Sequence, residues 1–374
     1  MVRDGFGGVM RVVHVVTQLG TYGGERLVAA LAAAQRSAGI DASIVTIYDS
    51  PAATPPQGVT VYSAGRHGTG ARGGGISFFF RLTSHIRRLR PDIVHTHLAH
   101  GKHWGRLAAL AAGARCIVHT EHGNDFSTSL LRRALTRLLH RQTAGIVALT
   151  HAHAERISAF ERVPAGRIAV VPNGIALEAI GTCSRERARR ALGAPAGARV
   201  ILFLGRLDSV KQPLRALAAC GLLPAELNAH VYFAGEGPLR DEIAIAANAE
   251  GIATRVHLLG YRTDAGILLH AADAVLNTSQ SEAMPLSLIE ALCAGVPIVS
   301  TPWPGAREVL CDAAVSDDFQ PASIARSLET ALRRAHQGSD DLSLLRTRFS
   351  IERTAATYAR LYEKLAGSYA TARG

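Results

Sequence analysis

Short apolar runs rich in β-branched residues alternate with longer stretches of helical period along most of the chain, and they do so in two successive series. The first series contains Val12–Thr17, Ala42–Ile47, Ile93–Thr96, Cys116–Thr120, Gly145–Leu149 and Ile168–Val171. The second contains Val200–Leu204, His230–Ala234, Val256–Leu258, Ala274–Asn277 and Pro297–Ser300. Helical segments such as Glu25–Ser37, Ser77–Leu89, Arg132–Arg141 and Leu286–Ala294 lie between them. Strands alternating with helices predict parallel sheets with crossover helices, because a parallel pair cannot be closed by a tight turn. Two series of domain size in 374 residues predict two α/β domains rather than one barrel. The junction falls between Val171 and Val200, where Pro172-Asn173-Gly174 makes a turn and Gly193–Ala198 is rich in Gly, Pro and Ala. The expected domains are 1–180 and 181–374, with a final helix near 350–365 that packs back on the first. Open α/β sheets bind ligands at the carboxyl ends of their strands, so a cleft between two such domains is the expected site.

Composition removes several other classes. Hydrophobic residues make up 48% and charged residues 19%, enough apolar material for large cores. No run of eighteen uncharged apolar residues occurs, since Arg106 and Arg115 interrupt the longest, so no membrane-spanning helix is expected. Val12–Val16 is too short for the apolar region of a secretory signal, and the residues before Met10 have no structural period and are expected to be disordered. Five cysteines without a C-x-x-C pair argue against a disulfide framework or a zinc ribbon, and a reducing compartment, the cytosol, is the expectation.

The net charge of +11 is unevenly spread: residues 1–180 hold twenty Lys and Arg against ten Asp and Glu, and the remainder is nearly balanced. A basic first half suits nucleic acid, anionic lipid or phosphorylated ligands, or simply a solvated arginine-rich surface. Single-strand binders need aromatic platforms among the basic residues, and none is evident, so nucleic acid is not expected. Phe78-Phe79-Phe80 followed by Arg81, Arg87, Arg88 and Arg90 reads either as a core helix with a basic face or as a helix resting on an anionic membrane.

Three segments carry chemistry. The strongest is Ser281–Glu290, which follows the strand Ala274–Asn277. Pro285 suits a first helical turn and Gly295 a helix end. The amides of Leu286 and Ser287 are then available to a phosphate, and Glu290 lies about 6 Å further along the axis. Glu282, in the loop before the helix, is placed to touch a reacting group. The second segment is Phe203–Pro213, where Arg206 and Lys211 follow a strand and could neutralise a diphosphate. The third, Gln18–Arg26, places Gly23 and Gly24 at a helix start, where a ligand can approach the backbone. Taken singly, each also reads as ordinary loop or helix surface.

Together and in this order, these segments resemble the retaining glycosyltransferases of family 4 (glycosyl transferases group 1), which have the GT-B fold. Pro91–His97, Val171–Gly174 and Phe233–Pro238 fit the same family, and the resemblance spans about residues 10 to 365. It implies two Rossmann-like α/β domains facing each other across a cleft, and transfer of a sugar from a nucleotide-diphosphate donor, most often a uridine one, with retention at the anomeric carbon. It implies that Arg206 and Lys211 hold the donor diphosphate, that Glu290 binds the ribose and that Glu282 binds the sugar hydroxyls. The Leu286 and Ser287 amides would meet the distal phosphate, with Gly23 and Gly24 closing on it. Gly235, Glu236 and Gly260 would border the base, and His122 in Thr120–Gly123 matches the active-site histidine. One departure from the pattern is Ala283, where the family usually has glycine after the first glutamate.

His95, His97, His100, His103, His119 and His122 form a cluster in sequence, and His95 and His97 would share one face of a strand, as metal ligands can. No carboxylate or cysteine completes a recognisable set, and the resemblance implies a metal-independent enzyme. It also implies a carbohydrate or lipid-linked acceptor on the first domain, a role in cell-envelope polysaccharide or glycolipid synthesis, and front-face transfer in which the departing phosphate takes the acceptor proton. A nucleotide-sugar epimerase or a sugar phosphorylase of like fold, and a polyanion-binding protein without activity, are the alternatives.

Overall fold

The computed structural model describes residues 8–20, 22–50, 54–66, 76–123, 129–334 and 342–371. Most of the segment before Met10 therefore lies outside the described residues. The chain divides into two compact units, residues 1–174 with 350–374, and residues 175–349. The cut falls at 174/175 where the sequence placed it at 180/181, and the final helix groups with the first unit.

Unit 1 contains the strands β1 (Arg11–Val16), β2 (Asp41–Tyr48), β3 (Thr60–Arg66), β4 (Ile93–His97), β5 (Cys116–Thr120), β6 (Gly145–Ala148) and β7 (Ile168–Val170). They form one parallel sheet in the order β3-β2-β1-β4-β5-β6-β7. Strand β3 was missing from the sequence reading; Thr60–Arg66 is an edge strand whose pattern is broken by Ser63 and Gly65. Val13, Val15, Val94 and Ile117 pack on one face with Phe78, Leu82 and Ile86 of α2 (Ser77–Leu89). The other face is covered by α1 (Gly23–Ser37) and by the final helix, Ile351–Thr371. That helix is tied down where Thr354 donates to the Pro172 carbonyl at 3.1 Å, and Gly174 lies so close to Ser350 that a Cβ would sit 2.5 Å from its carbonyl oxygen.

Unit 2 contains β8 (Arg199–Leu204), β9 (Ala229–Ala234), β10 (Val256–Gly260), β11 (Ala274–Asn277) and β12 (Ile298–Ser300). They form a parallel sheet in the order β10-β9-β8-β11-β12. Strands buried on both faces read as continuous apolar runs, as Val200–Phe203 and Val231–Phe233 do. In each unit the chain order reverses beside the first strand, between β1 and β4 and between β8 and β11. Loops leaving those strands diverge there and open a crevice at their carboxyl ends. The chain thus has two parallel-sheet α/β domains. Among the described residues, no helix is long and apolar enough to cross a membrane.

Candidate active site

In unit 2 the loops that follow β8 and β11 are stitched into one structure. Asp208 organises the first loop: its carboxylate accepts from the amides of Val210 (3.1 Å) and Lys211 (3.0 Å) and from Arg206 Nε (2.9 Å). Thr278 donates to the carbonyls of Lys211 and Gln212, and the Gln280 amide donates to the Val210 carbonyl at 2.8 Å. So held, Lys211 Nζ lies 2.5 Å from Glu282 Oε1, which also accepts from Ser279 at 2.5 Å. Lys211 and Glu282 are largely buried, whereas the Arg206 side chain is 58% exposed and available to a ligand. Asp208, Thr278 and Ser279 were not singled out from the sequence; the Asp208-Ser209-Val210 turn was the available signal.

The helix Leu286–Ala294 begins directly after Pro285, and Gly295 closes it in the left-handed conformation. Leu288 and Ile289 donate to the Pro285 carbonyl, so the amides that precede them in the first turn, Leu286 and Ser287, lie at the helix's positive end. Glu290 is buried at 6% exposure and not a solvated helix residue. Ala283 is also buried, and its backbone lies outside the left-handed region, so the methyl group is accommodated. At the ends of β9 and β10, a Cβ on Gly235 would lie 1.9 Å from the Gly205 carbonyl oxygen. Gly260 has φ +68°, and Glu236 stands over it with its carboxylate near Arg240. Arg206, Lys211, Gly235, Glu236, Gly260, Glu282, Leu286, Ser287 and Glu290 are therefore gathered around the carboxyl ends of four strands of one unit. Gly23, Gly24 and His122 belong to the other.

In unit 1, Gly23 and Gly24 open α1 after β1, and Gly24 packs on Leu98, whose φ of +60° is unusual for leucine. The chain after β4 continues through a widened helical turn, Gly101–Gly105, which buries Lys102. Wide turns of this kind occur often at functional sites. Lys102 pairs with the carboxylates of Glu121 and Glu161, and Glu161 is also 2.6 Å from His140 Nε2. Arg106, fully buried, packs behind them against His140 and Thr143. Burial alone would raise both carboxyls, but Lys102 holds Glu121 below its usual value, and the His140 hydrogen bond together with Lys102 does the same for Glu161. This buried charge group was not visible in sequence, because its members are scattered over sixty residues.

These residues floor a cavity of about 910 Å³ whose wall includes His100, Lys102, His103, Trp104, Glu121, His122, Arg132, Arg133 and Phe160. His14, outside the sequence cluster, joins His95 and His97; the three rings carry six nitrogens, and one from each lies within 4.8 Å of the others. All six of those nitrogens are engaged in hydrogen bonds, to one another, to His122, Gln35, Tyr362 and Thr120. A metal ion would have to displace several of these bonds. Burial also drives His122 down to about 3, so its ring is neutral near pH 7.

Known protein families and structures resemble this chain along most of its length. Residues 21–179 match the Glycosyltransferase Family 4 profile and residues 184–341 that of Glycosyl transferases group 1. The chain belongs to this glycosyltransferase family. It is 30% identical over 226 residues to the UDP-Gal:alpha-D-GlcNAc-diphosphoundecaprenol alpha-1,3-galactosyltransferase of Escherichia coli, covering 57% of this chain and 58% of that protein. It is 31% identical over 232 residues to the D-inositol 3-phosphate glycosyltransferase of Mycobacterium marinum, covering 56% and 48%. The matched region thus spans about half the length of these curated relatives. Among solved structures, Anabaena HepE in complex with UDP and glucose superposes with a TM-score of 0.82 at 17% identity, covering 95% of this chain and all of that one. The lipopolysaccharide glycosyltransferase WaaG gives 0.67 at 20% identity, covering 95% and 98%. At these identities the structural likeness speaks to the fold.

Proposed function

We propose that this glycosyltransferase moves a sugar from a nucleotide-diphosphate donor, UDP-linked by preference, to an acceptor hydroxyl with retention of anomeric configuration and without a metal ion. The observation that carries this reading is the Lys211–Glu282 pair beside Arg206, at the carboxyl ends of β8 and β11 and next to the start of the helix Leu286–Ala294. The chemistry needs positive charge beside the leaving diphosphate, and Arg206, Lys211 and the Leu286 and Ser287 amides supply it in place of a metal ion. Glu290 then takes the ribose hydroxyls and Glu282 those of the donor sugar, while Gly235, Glu236 and Gly260 border the base. Gly23 and Gly24 take part in phosphate binding by the family pattern. No carboxylate in this set is offered as a covalent nucleophile. The reading is therefore front-face transfer, in which the departing phosphate oxygen takes the acceptor proton and the protein contributes position and charge.

The acceptor is assigned to the unit 1 cavity, with His122 toward the reacting hydroxyl. Arg132 and Arg133 in its wall suit a phosphate or diphosphate, and Trp104, Leu135 and Phe160 suit an apolar chain. That combination favours a lipid-linked acceptor in envelope glycan synthesis, a reading supported by the E. coli relative, whose name specifies a diphosphoundecaprenol acceptor. The enzyme would meet it in the cytosol at an anionic membrane surface. A panel of nucleotide sugars offered with polyprenyl-diphosphate sugars and free sugar phosphates, with products identified by mass spectrometry, tests the proposal. Transfer from a UDP-sugar with the anomeric configuration kept is the expected result; inversion, or no transfer from any nucleotide sugar, overturns it.

A further inference from the structure

The centre of the unit 1 sheet carries imidazoles where neighbouring positions carry valine and isoleucine, which destabilises a fold unless the ring nitrogens are bonded. His14 on β1 and His95 on β4 are register partners, and His97, two residues on, shares their face. All three are buried. From the cavity inward, His122 Nε2 lies 3.0 Å from His97 Nδ1 and His97 Nε2 lies 3.0 Å from His14 Nδ1. His14 Nε2 then lies 2.7 Å from Oε1 of Gln35, on α1.

Such a chain has a direction. Each ring in it is desolvated and neutral, so each has one N–H and one lone pair. An amide oxygen only accepts. With the Gln35 oxygen toward His14, the His14 proton sits on Nε2 and its Nδ1 accepts. His97 must then donate from Nε2 and accept at Nδ1, and His122 must donate from Nε2. The other end of the same amide is consistent with this orientation. Gln35 Nε2 donates to the Tyr362 hydroxyl at 3.4 Å, Tyr362 donates to His95 Nδ1 at 2.6 Å, and His95 donates from Nε2 to Thr120 at 2.7 Å. Turning the amide over would reverse every donor in both branches, so one side chain sets the polarity of the whole network.

We propose that Gln35 is a positioning residue for His122: acting through His14 and His97, it holds the His122 proton on Nε2 and leaves Nδ1 to accept a hydrogen bond from a hydroxyl in the cavity that His122 lines. This rests on the reading of His122 as an active-site residue. The imidazole chain explains why the fold retains polar rings at the sheet centre, since a valine at position 14 or 97 would break the connection between α1 and the cavity.

The test is the tautomer itself, read by long-range proton–nitrogen correlations on the full-length protein labelled with ¹⁵N-histidine, with the His122 signals identified by their loss in His122→Asn. The parent is expected to show His122 protonated on Nε2 alone. In Gln35→Leu the Nδ1-protonated form should appear and turnover should fall about tenfold, the order that losing an outer partner of a functional histidine costs, with donor KM nearly unchanged. Gln35→Glu keeps an acceptor oxygen in place and should restore the parent tautomer. A parent His122 protonated on Nδ1, or a Gln35→Leu spectrum identical to the parent's, overturns the proposal. If Gln35→Leu does not fold, the parent spectrum and Gln35→Glu decide. A parent with the expected tautomer that transfers no sugar sustains the network and overturns the functional reading instead.

Discussion

Lys211 and Glu282, 71 residues apart in the chain, meet at 2.5 Å because the loops after β8 and β11 leave neighbouring strands on opposite sides of the point where strand order reverses. The pair presents a cation that is already oriented, and Arg206 lies exposed beside it on the same loop. Lys211→Ala or Arg206→Ala should lower turnover roughly 10²–10³-fold, the usual cost of one electrostatic partner of a charged transition state. Circular dichroism and the melting temperature should stay close to the parent's. A double variant within a few-fold of parent activity would remove these residues from the site.

Much of this arrangement was legible in the sequence, because its signals are local. A strand end followed by Gly205-Arg206, and Pro285 opening a helix that Gly295 closes, are each read from a few adjacent residues. The strands at the sheet centres and the helices Ser77–Leu89 and Leu286–Ala294 were found for the same reason. The imidazole network and the Lys102–Glu121–Glu161 group were not legible as units. Their contacts join residues 19 to 327 positions apart, and a histidine inside a strand pattern gives no sign of its partner.

Gly235 tests the close approach of β9 to the turn after β8. A Cβ there would lie 1.9 Å from the Gly205 carbonyl oxygen, whereas nothing lies within 4 Å of the place a Cβ on Gly166 would occupy. Gly235→Ala should cost about 1–3 kcal/mol, as overpacking of backbone does, and should depress donor binding. Gly166→Ala should be neutral within about 0.5 kcal/mol. Urea unfolding of both variants checks this, and equal midpoints would show that the turn yields easily.

Chelation should leave the enzyme active. Every nitrogen of His14, His95 and His97 is already hydrogen-bonded, and the proposed mechanism gives the leaving diphosphate to Arg206 and Lys211. Prolonged EDTA followed by desalting is expected to change turnover by less than about twofold, a small effect on the scale of mutant kinetics. Stoichiometric metal in the purified protein, with activity lost on its removal, would contradict this.

Stability should fall with acid. Unfolded imidazoles titrate near 6.5, whereas burial lowers His14 and His119 to about 4 and His122 to about 3. The unfolded chain therefore takes up protons first as pH falls. The stabilisation is complete above about 6.5 and drains away toward pH 3–4, and a tenfold difference in proton affinity between the folded and unfolded chain is equivalent to about 1.4 kcal/mol. Glu121, held low against burial by Lys102, and Glu161, held low by its His140 hydrogen bond and by Lys102, add a loss of the same sign below their ordinary value of 4.5. Melting temperatures measured from pH 8 to pH 4 should be level at first and drop below about pH 6. A flat profile down to pH 4.5 would mean that these groups titrate normally.

The membrane reading now has a more specific surface than the basic segment first suggested. In α2, Phe78 is buried, Arg81 donates to the carbonyls of Ala64 and Gly65, and Arg87 donates to that of Ala111, so two of the four arginines in and just after this helix also serve the fold. Ile76 and Phe80 remain exposed. The helix Leu130–Arg141 presents Leu130 and Leu131, each 80% exposed, next to Arg132 and Arg133 and without an acidic residue along its length. Its inner side lines the cavity assigned to the acceptor. Each cation near an anionic leaflet contributes about 1 kcal/mol, and the leucines add apolar insertion. The parent should co-sediment with anionic vesicles at low salt, less so at high salt, and hardly at all with neutral ones. Changing Arg81, Arg87, Arg88 and Arg90 to glutamine should weaken binding in part, and Leu130→Ser with Leu131→Ser should weaken it further at every salt concentration. If the parent ignores anionic vesicles at low salt, the enzyme meets a soluble acceptor and the exposed leucines serve another contact.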